Sequence, residues 1–216
     1  MMSRDIKKVT LHILLLLFAA AAVVPILLMF VNSFKTGSEL AKNAWGIPSF
    51  WTFSNYTSLV SFNSGILVRT FFNSVFVSVV YTMLTLIVSS LAAFAFSKYS
   101  FRGKNVIFIF LLATMMIPAQ LIFLPVFLML SKWGLINTYW SLILPQATSA
   151  FAVFMLRQNF KQIPEELIEA ARLDRAGELK IITRIMLPAA RPTIIMLGML
   201  TFVGTWNDYF WPMVLT

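Results

Sequence analysis

The chain has 216 residues, 59% of them hydrophobic and 12% charged, with a mean hydropathy of +0.84. A soluble domain of this length has no use for so much apolar surface, so the composition is that of a membrane protein. The formal net charge of +9 does not argue for nucleic acid as a partner in a chain this apolar, where basic residues report loop orientation, and the absence of cysteine excludes disulfides, thiolate metal sites and cysteine nucleophiles.

A helix needs about 20 apolar residues to cross the hydrocarbon core. The first such segment, 11–31, follows a basic start and contains no charge. Ala20–Ala22 would suit a signal-peptide cleavage site, but apolar residues continue through Val23, Val24, Ile26 and Leu27 with no polar region, so an uncleaved anchor is expected. His12, the single histidine, lies at the start of this segment with no acidic partner nearby, which fits an interfacial residue and no metal. Residues 32–70 are expected to form a long outer loop, with Gly37, Gly46, Pro48, Trp51 and Tyr56. Its Asn55-Tyr56-Thr57 matches a glycosylation triplet that is common by chance.

Further spans are predicted at about 71–96, 106–130, 139–156 and 193–214, giving an all-α polytopic transmembrane bundle with five spans in a single domain over 1–216. Too few short alternating segments are present to close a β-barrel. Trp51, Tyr99, Trp133, Tyr139, Trp140 and Trp211 gather at span ends, where aromatic side chains favour the headgroup level of membrane lipid.

Basic residues set the orientation. With a cytoplasmic N-terminus, one side holds Arg4, Lys7 and Lys8, then Lys98, Arg102 and Lys104, then Arg157, Lys161, Arg172, Arg175, Lys180, Arg184 and Arg191. Those are thirteen of the 17 Lys and Arg residues; Lys35, Lys42, Arg69 and Lys132 fall on the other side. Five spans then leave Thr216 outside at the end of an apolar run, so a sixth span is expected to be missing at the C-terminus.

The segment 161–190 is unlike its neighbours. Pro164 suits a first helical turn, and Glu165, Glu166 and Glu169 complement the helix dipole. Leu167, Ala170 and Ala171 fall on one side, and Glu169 and Arg172 are spaced to pair. A turn is expected near Asp174–Gly177, and Leu179, Ile182, Ile185 and Met186 then form an apolar stripe that Pro188 interrupts. The loop reads as helix, turn, helix. By pattern alone it is either an amphipathic connector resting on headgroups or a docking surface for a cytoplasmic protein.

Glu169-Ala170-Ala171, a following glycine, and Ile185-x-Leu187-Pro188 resemble the EAA loop of permease subunits in binding-protein-dependent ABC importers. The stretches SLAAFAFSKYSFRGK (90–104), LLATMMIPAQLIFLPVFLML (111–130), GLINTYWSLILP (134–145) and VGTWNDYFWPMVL (203–215) resemble the carbohydrate-uptake branch, of maltose or glycerol-phosphate type. The resemblance implies a subunit of the bacterial or archaeal cytoplasmic membrane that moves a sugar or sugar derivative. It also implies a second permease subunit, two ATPase subunits that bind ATP and magnesium, and an extracytoplasmic solute-binding protein. Glu169, Ala170, Ala171, Asp174, Leu187 and Pro188 match the ATPase-coupling motif. The family's glycine after the aspartate is replaced by Arg175, and a glycine follows only at Gly177. If that place needs a positive φ, arginine is costly there, and the turn is expected to move to Gly177.

No nucleotide-binding GxxxxGK[ST] and no G-x-S-x-G nucleophile elbow is present, so the chain reads as a transport subunit without cofactor or catalytic residues of its own. Asp208 is the only acid inside a span, about 24 Å along the helix from Pro192, beside Asn207. Its expected role is divided between bundle stability and lining the translocation path. Pro118 and Pro125 interrupt the third span, which makes Met115, Met116 and Gln120 further path candidates. The alternatives are an importer for another solute class, or a membrane assembly protein that transports nothing.

Overall fold

In a computed structural model of the chain, residues 2–216 are described, with the side chains of residues 2–6 and of Ala119 excepted. Arg4, counted above among the orienting cations, lies outside the described side chains. Every regular element is helical among the described residues.

Two compact units divide the chain at Phe71. In the first, α1 (Met2–Asn32) is a single helix that continues through Pro25. The loop behind it carries the short helices α2 (Gly37–Lys42) and α3 (Ser54–Ser61). Lys35 organises this loop. It is 1% exposed, and its ammonium donates to the carbonyls of Asn43 and Gly46 at 2.6 and 2.7 Å. The Asn55 amide donates to the carbonyls of Ser33 and Lys35, so the nitrogen of the glycosylation triplet is already engaged. The Phe34 ring sits among Phe30, Trp51, Phe53 and Tyr56.

The second unit runs from Phe72 to Thr216. It begins within α4 (Ile66–Lys98), the longest helix. Its buried face is rich in small residues, among them Ser78, Ser89, Ser90 and Ala93, which allow neighbouring backbones to approach closely. Gly103, at φ 83°, then turns the chain into α5 (Lys104–Ala113).

Three of the predicted spans are not continuous helices. In the third, Ile117 is extended before Pro118 (φ −89°, ψ 114°), as a residue preceding proline prefers. This separates α5 from α6 (Phe123–Lys132). The fourth breaks between α7 (Tyr139–Ile143) and α8 (Ala150–Lys161), across Pro145 and the polar Gln146 and Ser149. In the fifth, α12 (introduced below) ends at Trp206, and a short helix restarts at Phe210. By length and apolar composition two helical stretches are able to cross a membrane, Lys7–Asn32 and Ser54–Lys98. A third is added if Glu178–Ala189 and Arg191–Trp206, bent by 86°, count as one.

After α8 come α9 (Glu165–Leu173), α10 (Glu178–Ile181), a π turn at Ile182–Met186, α11 (Leu187–Ala189), α12 (Arg191–Trp206) and α13 (Phe210–Leu215). The π turn lies immediately before Pro188, whose missing N–H leaves a carbonyl without its helical donor. One apolar core joins α4, α5, α8, α9, α10 and α12 through Phe94, Phe108, Leu156, Ile168, Ile181 and Leu197. A smaller one joins α6 and α13 through Leu130, Trp211 and Leu215, closed by a hydrogen bond from the Asn137 amide to the Leu215 carbonyl.

Candidate functional site

The charged segment folds into two helices joined by a tight turn, here called the hook. Ile168 is its inner anchor. It is 0% exposed and belongs to the main core, with half-buried Ala171 one turn later on the same face. The apolar side of α9 is therefore not the one predicted. Leu167 and Ala170 face outward, and Leu167, Leu173 and Leu179 are 53, 85 and 69% exposed. The reason is that a residue at i+1 on a helix is turned by about 100°, and the one bulky branched side chain on the inner face takes the core. In the second helix Ile182 and Met186 are buried as expected and Ile185 partly so, whereas Leu179 points out and Ile181 replaces it inside.

The turn is a Schellman motif. The amide of Ala176 donates to the carbonyl of Ala171, and that of Arg175 to the carbonyl of Arg172, both at 2.9 Å. The left-handed position is Arg175, at φ 58°, while Gly177 is extended at φ −69° and precedes α10. The turn has thus not moved to Gly177. The backbone hydrogen bonds fix position 175 as the residue after the helix cap, and arginine adopts the left-handed conformation at a cost of about 1–2 kcal/mol.

The predicted Glu169–Arg172 pair does not form either. The Arg172 guanidinium reaches across the turn and grips the Glu178 carboxylate at 3.0 and 3.2 Å, a two-pronged contact that ties α9 to α10. This bond holds the Glu178 carboxyl below the usual glutamate range. The same guanidinium lies 5.6 Å from the centre of the Tyr99 ring. Burial first, and then Glu178, push the Tyr99 hydroxyl above its ordinary value.

One cation fastens the base of the hook to α4, and a second fastens α8, the helix that leads into it. Lys98, with a side chain 3% exposed, donates to the Ile163 carbonyl at 2.6 Å and to the Glu165 carboxylate at 3.0 Å. Arg157 is buried on α8, donates to the Phe96 carbonyl at 3.1 Å and lies 4.0 Å above the Phe108 ring. Both were read from the sequence only as loop charges. Of the coupling candidates, Glu169, Ala170, Asp174, Arg175, Gly177 and Pro188 are exposed, and Ala171 and Leu187 are half-buried.

The path candidates are more scattered. Met115 and Met116, in a 3-10 turn, are 51 and 84% exposed, and Gln120 is exposed beyond the Pro118 break. Asn207 bonds back to the Val203 carbonyl of its own helix. Asp208 sits in the break between α12 and the helix that restarts at Phe210. Its Oδ1 accepts from the amides of Phe210 and Trp211 at 3.0 and 3.4 Å, starting α13, and the residue also lines a cleft of about 300 Å³. Tyr81, Gln146, Ser149, Thr201 and Thr205 line that cleft too. All five were missed, because uncharged hydroxyls and an amide scattered over three segments show no spacing in the sequence.

A family model described as "Binding-protein-dependent transport system inner membrane component" matches residues 85–216. The chain belongs to that family. It is a multi-pass permease component of the inner membrane, and the ATPase is a separate subunit. An arabinooligosaccharide transport system permease of Halalkalibacterium halodurans is 36% identical over 91% of this chain and 71% of its own length. An sn-glycerol-3-phosphate transport system permease of Agrobacterium fabrum is 33% identical over 99% of this chain and 78% of its own. A crystal structure of a bacterial ABC transporter that imports the acidic polysaccharide alginate superposes with a TM-score of 0.88 at 29% identity, covering 99% of the permease and 75% of that chain. Such a permease works with a binding protein and an ATPase, and its all-helical fold is that of the alginate importer.

Proposed function

We propose that this permease imports a sugar or sugar derivative across the cytoplasmic membrane of a bacterium or archaeon, and that its hook is the part a nucleotide-burning subunit grips. The observation that carries the reading is the division of α9 into two faces. Ile168 is locked in the core and Lys98 secures the helix base, while Leu167, Ala170 and Leu173 stand outside it. Exposed leucines on a short, firmly rooted helix suit insertion into a protein cleft better than rest on water.

In this reading the N-terminus is cytoplasmic, the five apolar segments cross the membrane with the helix breaks described above, and a second, different permease subunit completes the pathway. Two ATPase subunits bind ATP and magnesium, and a solute-binding protein delivers cargo from outside. Nucleotide shifts the equilibrium between inward- and outward-facing states only through differential affinity for the two, and the hook carries that difference as a rigid body. Glu169, Ala170, Asp174 and Leu173 contact the ATPase. Arg175, Gly177, Leu187 and Pro188 shape the turn and the return to α12, and Ala171 lets α9 lie close to the core. Met115, Met116, Gln120 and Asn207 border the path. Carbohydrate is favoured as cargo because arabinooligosaccharide, diacetylchitobiose and lactose permeases are among the relatives.

The test is Leu173→Asp and Glu169→Lys in the complete importer reconstituted in proteoliposomes. Each is expected to abolish co-purification of the ATPase and uptake while leaving insertion of the permease intact. Normal uptake by both variants would remove the docking role. Solute binding to the cognate binding protein separates a sugar importer from one for another solute class.

A further inference from the structure

A group of cations gathers where α5 meets α8. Arg157 of α8 lies 4.0 Å from the centre of the Phe108 ring of α5, which joins the two helices at that level. Lys104 and Lys161 each lie one helical turn from this contact, Lys104 on α5 and Lys161 on α8. Partial burial first, and then the charges of Arg157 and Lys161, hold the Lys104 ammonium below its ordinary range. Arg102 is exposed two residues before Lys104. Among the described residues none of these four cations is paired with a carboxylate. Glu165 bears on Lys104, but Lys98 already holds it at 3.0 Å. Lys104 also opens α5, where the helix dipole disfavours a cation and no acid stands in the first turn. Cations placed together without counter-charges repel one another unless an anion joins them. The surface turns apolar immediately beyond them, since Val106, Ile107, Ile109 and Phe110 of α5 are each more than half exposed. Positive charge directly beside an exposed apolar helix is complementary to an amphiphile with an anionic head and hydrocarbon tails. A free phosphate uses only the charged part of that surface.

We propose that Arg102, Lys104 and Lys161 bind the phosphate of an anionic phospholipid whose acyl chains lie along the exposed side of α5, with Arg157 adding its field from beneath. Because α8 ends at Lys161, four residues before the hook begins at Glu165, a lipid bound there steadies the helix that carries the hook. The inference does not depend on which solute is carried or on how the ATPase grips the hook.

The complete importer is placed in phosphatidylcholine nanodiscs doped with phosphatidylglycerol that carries a diazirine in one acyl chain. After irradiation the labelled peptides are located by mass spectrometry. Label is expected within residues 104–111, and a phosphatidylcholine probe with the same chain is expected to give about fivefold less. Lys161→Gln, at an exposed side chain, is expected to lower labelling by phosphatidylglycerol about fivefold, and Lys104→Gln with Lys161→Gln about 25-fold, as for basic residues at an anionic surface. Lys104→Arg with Lys161→Arg keeps the charge and restores labelling. Should the double glutamine variant fail to assemble, the comparison of Lys161→Gln with the parent decides alone. Equal labelling by the two probes overturns the anionic head, and labelling that survives the lysine replacements overturns these cations as its site. Loss of label on adding inorganic phosphate at constant ionic strength shows a site for a free anion and overturns the lipid. Label that appears only after the ATPase is stripped away gives the surface to that protein and overturns the proposal too, as does no label at all. Uptake by the same importer in proteoliposomes tests the import reading separately.

Discussion

Replacing Lys98 by methionine keeps the apolar stem and removes the ammonium that fastens the hook to α4. Two contacts are lost, at 2.6 Å to the Ile163 carbonyl and 3.0 Å to Glu165. The first matters more. A hydrogen bond from a charged donor is worth about 1.5–3 kcal/mol, and here the donor's side chain is 3% exposed. The second adds well under about 1 kcal/mol, because Glu165 is half in water and its charge is screened. A total near 2 kcal/mol raises the population of locally opened hook about 30-fold. The change should stay local, since Ile168 and Ile181 still hold both hook helices to the core. Hydrogen–deuterium exchange of the purified permease checks this. Amides of residues 163–176 are expected to exchange about 30 times faster, with those of α12 unchanged. Exchange altered less than twofold in the hook would refute the anchoring role of Lys98, and an equal rise throughout α12 would show that the residue supports the whole unit instead.

Ile168→Ala opens a cavity at a site with 0% exposure and is expected to cost about 2–5 kcal/mol, read as a lowered Tm, while Leu167→Ala, next along the chain but outward, leaves Tm nearly unchanged and weakens ATPase co-purification. Arg175→Gly relieves a left-handed φ of 58° and should stabilise the hook by up to about 1 kcal/mol in thermal unfolding, whereas Gly177→Ala, at φ −69° with open space around it, changes stability by less than about 0.5 kcal/mol. Because Arg172 lowers the Glu178 carboxyl, their contact contributes stability above the ordinary glutamate range and loses it as the pH falls through the lowered value. Both side chains are more than a third exposed, so solvent screening keeps the loss under about 1 kcal/mol, and hook exchange corrected for intrinsic rates should quicken in acid in the parent and not in Glu178→Gln.

Much of the hook was legible from residue type alone. Pro164 and three glutamates mark the start of α9, and the step from polar to apolar composition marks its setting, because capping and dipole preferences act within a single turn. Which face turned inward was not legible. Leu167 and Ile168 are adjacent and both strongly apolar, and only packing into the core that also holds Phe94, Leu156 and Met186 selects one of them.

The sequence by itself determined that this is a helical membrane protein with a charged insertion between apolar walls, since hydropathy and charge are sums over residues and need no partner. It also located one helix break, at Pro118, whereas Pro125, expected to interrupt the same span, lies within the first turn of α6 and α1 runs through Pro25. The tertiary structure alone decided that Lys98 and Arg157 are buried fasteners, that Arg172 chooses Glu178 over Glu169, and that Gln146, Thr201 and Asp208 share one cleft. Those facts depend on distances between residues as many as 67 positions apart, and such distances exist only once the chain has folded.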